Sequence, residues 1–88
     1  MYRVRFTKQA ETDLSRLDRT VAQRVMNRIR WLAENYDEVA PETLAGPWQA
    51  YYKLRIGDYR ILYTLTESDE DTLVIHFVRH RREIYKLR

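Results

Sequence analysis

Cysteine is absent from the 88 residues, so neither a disulfide nor a thiolate metal site can stiffen the fold. Histidine is scarce as well: with only two in the chain, a zinc site is not expected. Glycine and proline number two each. Gly46-Pro47 closes a loop that starts at Pro41, and Gly57 marks a second turn. No apolar run approaches the ~20 residues of a membrane-spanning helix, so no membrane partner is expected. The start, Met1-Tyr2-Arg3-Val4-Arg5-Phe6, alternates and lacks the apolar core of a secretory signal. With cysteine missing too, the expected location is the cytoplasm. There is no internal repeat and no low-complexity segment.

What remains fits a single domain over residues 1–88. A domain of this size buries only roughly 60–65% of the surface its unfolded chain exposes. Its core must come from the 44% hydrophobic residues, seven tyrosines among them. A tight partner would add stability by mass action. Sixteen Lys and Arg against thirteen Asp and Glu give a net charge of +3. The distribution says more than the sum. Residues 79–88 carry five bases (Arg79, Arg81, Arg82, Lys86, Arg88) against Glu83, whereas residues 67–71 carry four acids and no base. Such segregation suits a basic end that meets a polyanion, and a solvated basic tail accounts for it equally well.

Along the chain the hydrophobic period changes. Tyr2, Val4 and Phe6 alternate with Arg3, Arg5 and Thr7, which predicts a half-buried strand. Residues 8–17 switch to helical spacing through Ala10, Leu14 and Leu17. After a break in which Asp18 or Thr20 suits a helix cap, Val21, Val25, Ile29, Leu32 and Tyr36 form the inner stripe of a second helix. Three strands follow, over Ala50–Ile56, Tyr59–Thr66 and Thr72–His80. Gly57-Asp58 joins the first two as a two-residue type II′ hairpin, and the acidic stretch Glu67–Asp71 makes the next connection. Arg81–Leu87 suits a short final helix. The expected fold is α+β, with two N-terminal helices packed on one face of a small, mostly antiparallel curved sheet.

The hairpin is the most informative segment. With Gly57 and Asp58 as its loop, Ile56 pairs with Tyr59, Arg55 with Arg60, Leu54 with Ile61 and Lys53 with Leu62. Paired residues share a face, so Tyr52, Leu54, Ile56, Tyr59, Ile61 and Tyr63 form an apolar face for the helices. Tyr51, Lys53, Arg55 and Arg60 lie on the other, exposed one. Two arginines directly opposite each other repel, a conflict that proteins tolerate mainly at functional sites, unless each cation splays into water or meets an acid such as Glu42 or Glu83. Arg79-His80-Arg81-Arg82-Glu83-Ile84-Tyr85 then adds arginine forks for phosphate, an imidazole for proton transfer and a phenol for stacking. Singly, His80 fits a surface or capping histidine and Tyr85 a core anchor. His76, inside a strand, reads as a satisfied structural histidine, and Trp31 and Trp48 as packing residues.

Leu54-Arg55-Ile56-Gly57-Asp58-Tyr59-Arg60-Ile61-Leu62-Tyr63 resembles the signature hairpin of the RelE/ParE superfamily of toxins, and Leu44-Ala45-Gly46 is similar to the motif before it. His80-Arg81-Arg82-Glu83-Ile84-Tyr85 resembles the closing motif, and Tyr2–Phe6 with Ala10, Leu14 and Leu17 fits the start. The likeness spans nearly the whole chain and points to the RelE-like mRNA interferase branch. It implies a RelE-like microbial ribonuclease fold and the toxin of a type II toxin–antitoxin system. Such toxins cleave mRNA in the ribosomal A site without a metal or other cofactor, through attack of the ribose 2′-hydroxyl on the adjacent phosphate.

By position the resemblance implies catalytic roles for Lys53, Arg60, Arg79 and Tyr85, with Arg81 in the basic cluster that follows the last strand. Tyr51 stands where a second lysine is expected, which makes His80 a candidate base beside Lys53. Arg55, Arg81 and Tyr51 are candidate substrate-binding residues. The implied partners are a cognate acidic antitoxin, the ribosome and its A-site mRNA, with DNA met only through the antitoxin complex. Two other readings share the fold or the charge: a ParE-like toxin that poisons DNA gyrase without nuclease activity, and a non-toxic nucleic-acid-binding module.

Overall fold

Thr7 ends the first strand and opens the first helix. Its backbone is extended and its hydroxyl accepts the Ala10 N–H at 3.1 Å, which satisfies one of the helix's orphan donors. Asp18 does the same for the second helix through the Val21 N–H at 2.9 Å. In the computed structural model, which describes residues 2–66 and 71–86 with side chains as far as Ile84, the order is β1 (Arg3–Phe6), α1 (Lys8–Ser15), α2 (Arg19–Asn35), β2 (Glu42–Thr43), β3 (Tyr52–Ile56), β4 (Tyr59–Thr66), β5 (Thr72–His80) and α3 (Arg81–Lys86). Most of the acidic connection, residues 67–70, and the expected helix end at Leu87 lie outside the described residues.

The five strands form one sheet in the order β1-β5-β4-β3-β2. β1 runs parallel to β5 and the other pairs are antiparallel. This is the expected α+β architecture with one strand added. β2 falls inside the segment that reads as a loop, because two residues carry no alternation to detect. β3 starts two residues later than its apolar pattern, because a 3-10 turn over Gly46–Trp48 continues until the Tyr51 N–H bonds the Trp48 carbonyl at 3.0 Å. The hairpin turn has positive φ at Gly57 (55°) and at no non-glycine residue, as a II′ turn requires.

The helices cover one face. Val25, Ile29, Leu32 and Ala33 of α2 and Ala10 of α1 pack with Leu54, Ile61, Tyr63, Leu73, Ile75 and Val78 of the sheet. Each large aliphatic buried there contributes roughly 1.5–3 kcal/mol. Tyr36 closes the core edge-on against Tyr63, with ring centroids 6.1 Å apart. Trp31 does not join this core. It is 41% exposed, with the Arg28 guanidinium 4.2 Å from its ring centroid. Its place on α2 turns it from the sheet, and the cation covers what the core does not.

The opposite, outer face has a smaller apolar layer. Leu62, Val74 and Ile84 are buried without belonging to the main core. Trp48 packs edge-on against Phe77 and tilted against Tyr51, so it is a packing residue as expected. The start of α3 is tied to the hairpin by the Arg81 N–H, which bonds the Asp58 carbonyl at 2.7 Å.

Candidate functional site: a row of arginines across three strands

The hairpin register is the expected one, with Arg55 opposite Arg60 and Lys53 opposite Leu62. β5 extends it. Arg60 lies opposite Arg79, and Leu62 opposite Phe77. Arg55, Arg60 and Arg79 therefore form one row across β3, β4 and β5 on the outer face, with Lys53, Leu62 and Phe77 in the next row. At the usual strand spacing of about 4.8 Å, the arginine row spans roughly 10 Å, the scale of a nucleotide's sugar and phosphate.

A β-bulge sets this row. Tyr63 pairs with Ile75 and Leu62 with Phe77, so His76 is the extra residue on β5. Strict alternation from the buried Leu73 and Ile75 would turn Arg79 inward and His80 outward. The inserted residue reverses both, and such bulges re-aim side chains in this way. Val78 accordingly returns to the core, Arg79 faces outward, and His80 shares the core-side face with its partner Tyr59, ring centroids 5.5 Å apart. The imidazole of the bulged His76 is satisfied, as the sequence suggests. Its Nε2 lies 2.8 Å from the Thr64 hydroxyl, Tyr51 packs edge-on against it, and burial together with the Arg5 charge lowers its pKa.

The cations of the row do not face one another freely. Arg60 is only 5% exposed, contrary to its expected place in solvent. Its Nη1 donates to the carbonyls of Gly57 and Tyr59, both at 2.9 Å, while its buried Nε has no partner among the described residues. The physical reason is that the outer face is itself covered in part, whereas alternation alone reads it as solvent. Arg79 is held by Asp13 of α1, Nε to Oδ2 at 3.2 Å, with its Cζ 5.0 Å from the Phe77 ring centroid. Arg55 is exposed. Lys53 has its Nζ 3.8 Å from Glu42 on β2, one of the acids that the sequence offers as a partner.

Lys53 also lines a groove of about 540 Å³ with Leu44, Pro47, Trp48 and Ile84. The structure thus brings together Lys53, Arg55, Arg60 and Arg79, with Tyr51 packed edge-on against Phe77 beside them. It does not bring His80 to Lys53. That ring lies on the other face, where its Nδ1 accepts the Arg82 N–H at 3.2 Å, the capping role already open to it. Arg81 is exposed at the start of α3. Tyr85 lies on α3, but its side chain is outside the described residues.

Asp13 escapes a reading by residue type. It looks like one more acid on a polar helix, yet it is 3% exposed and accepts from Gln9, Val78 and Arg79. The one signal available was its position one residue before Leu14, on the flank of the Ala10–Leu14–Leu17 stripe. Among the described residues no three His, Asp or Glu side chains converge as a metal site, and no helix is long and apolar enough to cross a membrane.

Helices on one face of a five-stranded mixed sheet match solved RelE-like toxin structures. Residues 4–85 match the model of the ParE toxin family of type II toxin–antitoxin systems, parDE, and the chain belongs to that family. No curated protein sequence matches it. Among solved structures, the RelBE2 toxin–antitoxin complex from Mycobacterium tuberculosis holds a chain 31% identical, with TM-score 0.76, over 91% of this chain and 98% of that one. The archaeal RelE–RelB complex from Pyrococcus horikoshii OT3 matches at 24% identity and TM-score 0.68, covering 91% and 94%. A YoeB/ParE toxin from Agrobacterium tumefaciens matches at 20% identity and TM-score 0.69, covering 89% and 96%. The chain is thus a type II toxin with a RelE-like fold.

Proposed function

We propose that this toxin is an endoribonuclease that cleaves mRNA held in the ribosomal A site. The observation that carries the reading is the row of Arg55, Arg60 and Arg79 across three strands, with Lys53 beside it on the same face. Arginine forks suit a phosphate gaining charge in a five-coordinate transition state. In the proposed step the ribose 2′-oxygen bonds to the adjacent phosphorus and the bond from phosphorus to the 5′-oxygen breaks. A base takes the 2′-hydroxyl proton and an acid returns one to the 5′-oxygen, leaving a 2′,3′-cyclic phosphate. Lys53 is the candidate base, Arg60 and Arg79 the phosphate-stabilising pair, Tyr85 the platform for a substrate base, and Arg55, Arg81 and Tyr51 the flanking contacts. His80 keeps its place as a cap for α3 rather than as a base. Orientation of the substrate by the ribosome would replace part of so sparse an acid–base set.

The solved complexes from Mycobacterium tuberculosis and Pyrococcus horikoshii pair such toxins with antitoxins, and we infer a cognate acidic antitoxin here, bound over the basic face and weakened by added salt. DNA would be met only through that complex, in the cytoplasm. The test is to add purified toxin to a translating extract and map mRNA 5′ ends. Cuts within translated codons that require ribosomes support the reading. The alternative reading is a ParE-like toxin that poisons DNA gyrase and cleaves no RNA, which the likeness to solved RelE chains does not favour. Intact mRNA together with blocked gyrase supercoiling would select it.

A further inference from the structure

A carboxylate buried to 3% exposure is costly unless its lone pairs are engaged, and those of Asp13 are. Oδ1 accepts Gln9 Nε2 at 2.9 Å. Oδ2 accepts both the Val78 N–H at 3.0 Å and Arg79 Nε at 3.2 Å. The Val78 amide needs such a partner, because β1 pairs with β5 only as far as Ile75 and leaves the rest of that edge without a strand. One oxygen of α1 therefore ties down both the backbone just past the bulge and the next side chain in the arginine row.

The manner of the tie matters. Asp13 engages Arg79 through Nε, not through the terminal fork. The Phe77 ring supports the guanidinium at 5.0 Å. Two contacts of different kinds fix the guanidinium while leaving its two Nη groups, which no described residue engages, for a bidentate acceptor.

We propose that Asp13 is the positioning residue for Arg79: it holds the guanidinium by Nε so that the Nη pair is presented to a phosphate on the outer face. This rests on the phosphate-binding role assigned to Arg79 above. Asp13 acts through Arg79 and touches no substrate itself. A purely structural Asp13 would serve the Val78 amide alone.

The discriminating variant is Asp13→Asn. Its amide oxygen can still accept from both Val78 and Arg79, which share one oxygen of Asp13, but the negative charge that holds the guanidinium is gone. Single-turnover cleavage on programmed ribosomes is compared for Asp13→Asn, Arg79→Ala and the double variant. We expect Asp13→Asn to slow cleavage about tenfold to a hundredfold, as misplaced groups do, and the double variant to be no slower than Arg79→Ala. Losses that multiply in the double variant overturn the proposal. Exchange of the Arg79 Nε–H and the Val78 amide, followed by NMR, gives a reading free of activity. Asp13→Asn should speed exchange of the first much more than of the second, because only the first is a bond between two charges. An unchanged Nε–H overturns the positioning role, as does a loss of both protections together with the fold. Arg79→Ala cleaving at the wild-type rate removes the phosphate-binding reading itself, and with it the purpose proposed for Asp13.

Discussion

Arg60 folds back on its own hairpin, its Nη1 donating to the Gly57 carbonyl at 2.9 Å, three residues earlier. The same Nη1 reaches the Tyr59 carbonyl, so one guanidinium braces the turn that fixes the register of the whole basic face. An arginine that looks like a pure functional cation in the sequence is thus also a structural one.

Arg60→Ala should therefore lower both stability and activity. Hydrogen bonds to a charged group contribute roughly 1.5–3 kcal/mol, offset in part by relief of the buried Nε, which no described residue engages, and of the repulsion from Arg55. A net loss of about 1–2 kcal/mol follows, which thermal or urea melts would detect. Cleavage per folded molecule should drop by a further factor of roughly a hundred. A variant as stable as the parent would show that the turn does not depend on this brace.

Gly57 is where the same turn depends on glycine. Its φ of 55° lies in the left-handed region, and a Cβ there would come 3.5 Å from an Arg24 nitrogen, an ordinary contact. The penalty for Gly57→Ala is thus conformational, about 1 kcal/mol, rather than steric. Gly57→Asn should recover part of it, because asparagine tolerates this region best among residues with a side chain. Equal melting temperatures for the two variants would contradict a conformational origin.

The hairpin was legible because its signals are local: alternation on both sides of a Gly-Asp pair fixes which residues face each other. The helices were legible from the Val21–Tyr36 stripe and from Asp18 as a cap. The face of β5 was not, because the bulge at His76 changes the parity and no residue there announces it. Alternation continued from Ile75 sends His80 to the side that Arg79 occupies. The burial of Arg60 and the role of Asp13 were hidden for another reason. Each depends on packing between distant segments, as with Asp13 and Arg79, 66 positions apart.

His76 predicts a pH dependence of stability. Burial first, and then the Arg5 charge, push its folded pKa below the ordinary value of 6.5. As the pH falls below 6.5, the unfolded chain takes up the proton before the folded one does, so unfolding gains. The contribution of His76 is fully present above pH 6.5 and is lost as pH falls through the folded pKa. Melts of the parent and of His76→Gln between pH 8 and pH 4.5 should show the parent losing stability relative to the variant below about 6.5. Parallel curves would mean that His76 titrates alike in both states.

Lys53 separates structure from chemistry most cleanly. Its ion pair with Glu42 is 3.8 Å long, and the Glu42 side chain is 58% exposed. Such a pair contributes about 0–1 kcal/mol, so Lys53→Gln should shift the melting temperature by no more than about 4–8 °C in a domain of this size. Glu42→Gln should behave alike in melts. If Lys53 accepts the 2′-hydroxyl proton, Lys53→Gln should slow single-turnover cleavage by a factor of roughly a hundred to ten thousand. Lys53→Arg then decides what the lysine supplies. Arginine keeps the positive charge but does not give up its proton in a protein. Recovery of the rate in Lys53→Arg would assign Lys53 to charge stabilisation and leave the base to another group. A rate as low as that of Lys53→Gln, from a protein that melts like the parent, would assign the proton transfer to Lys53.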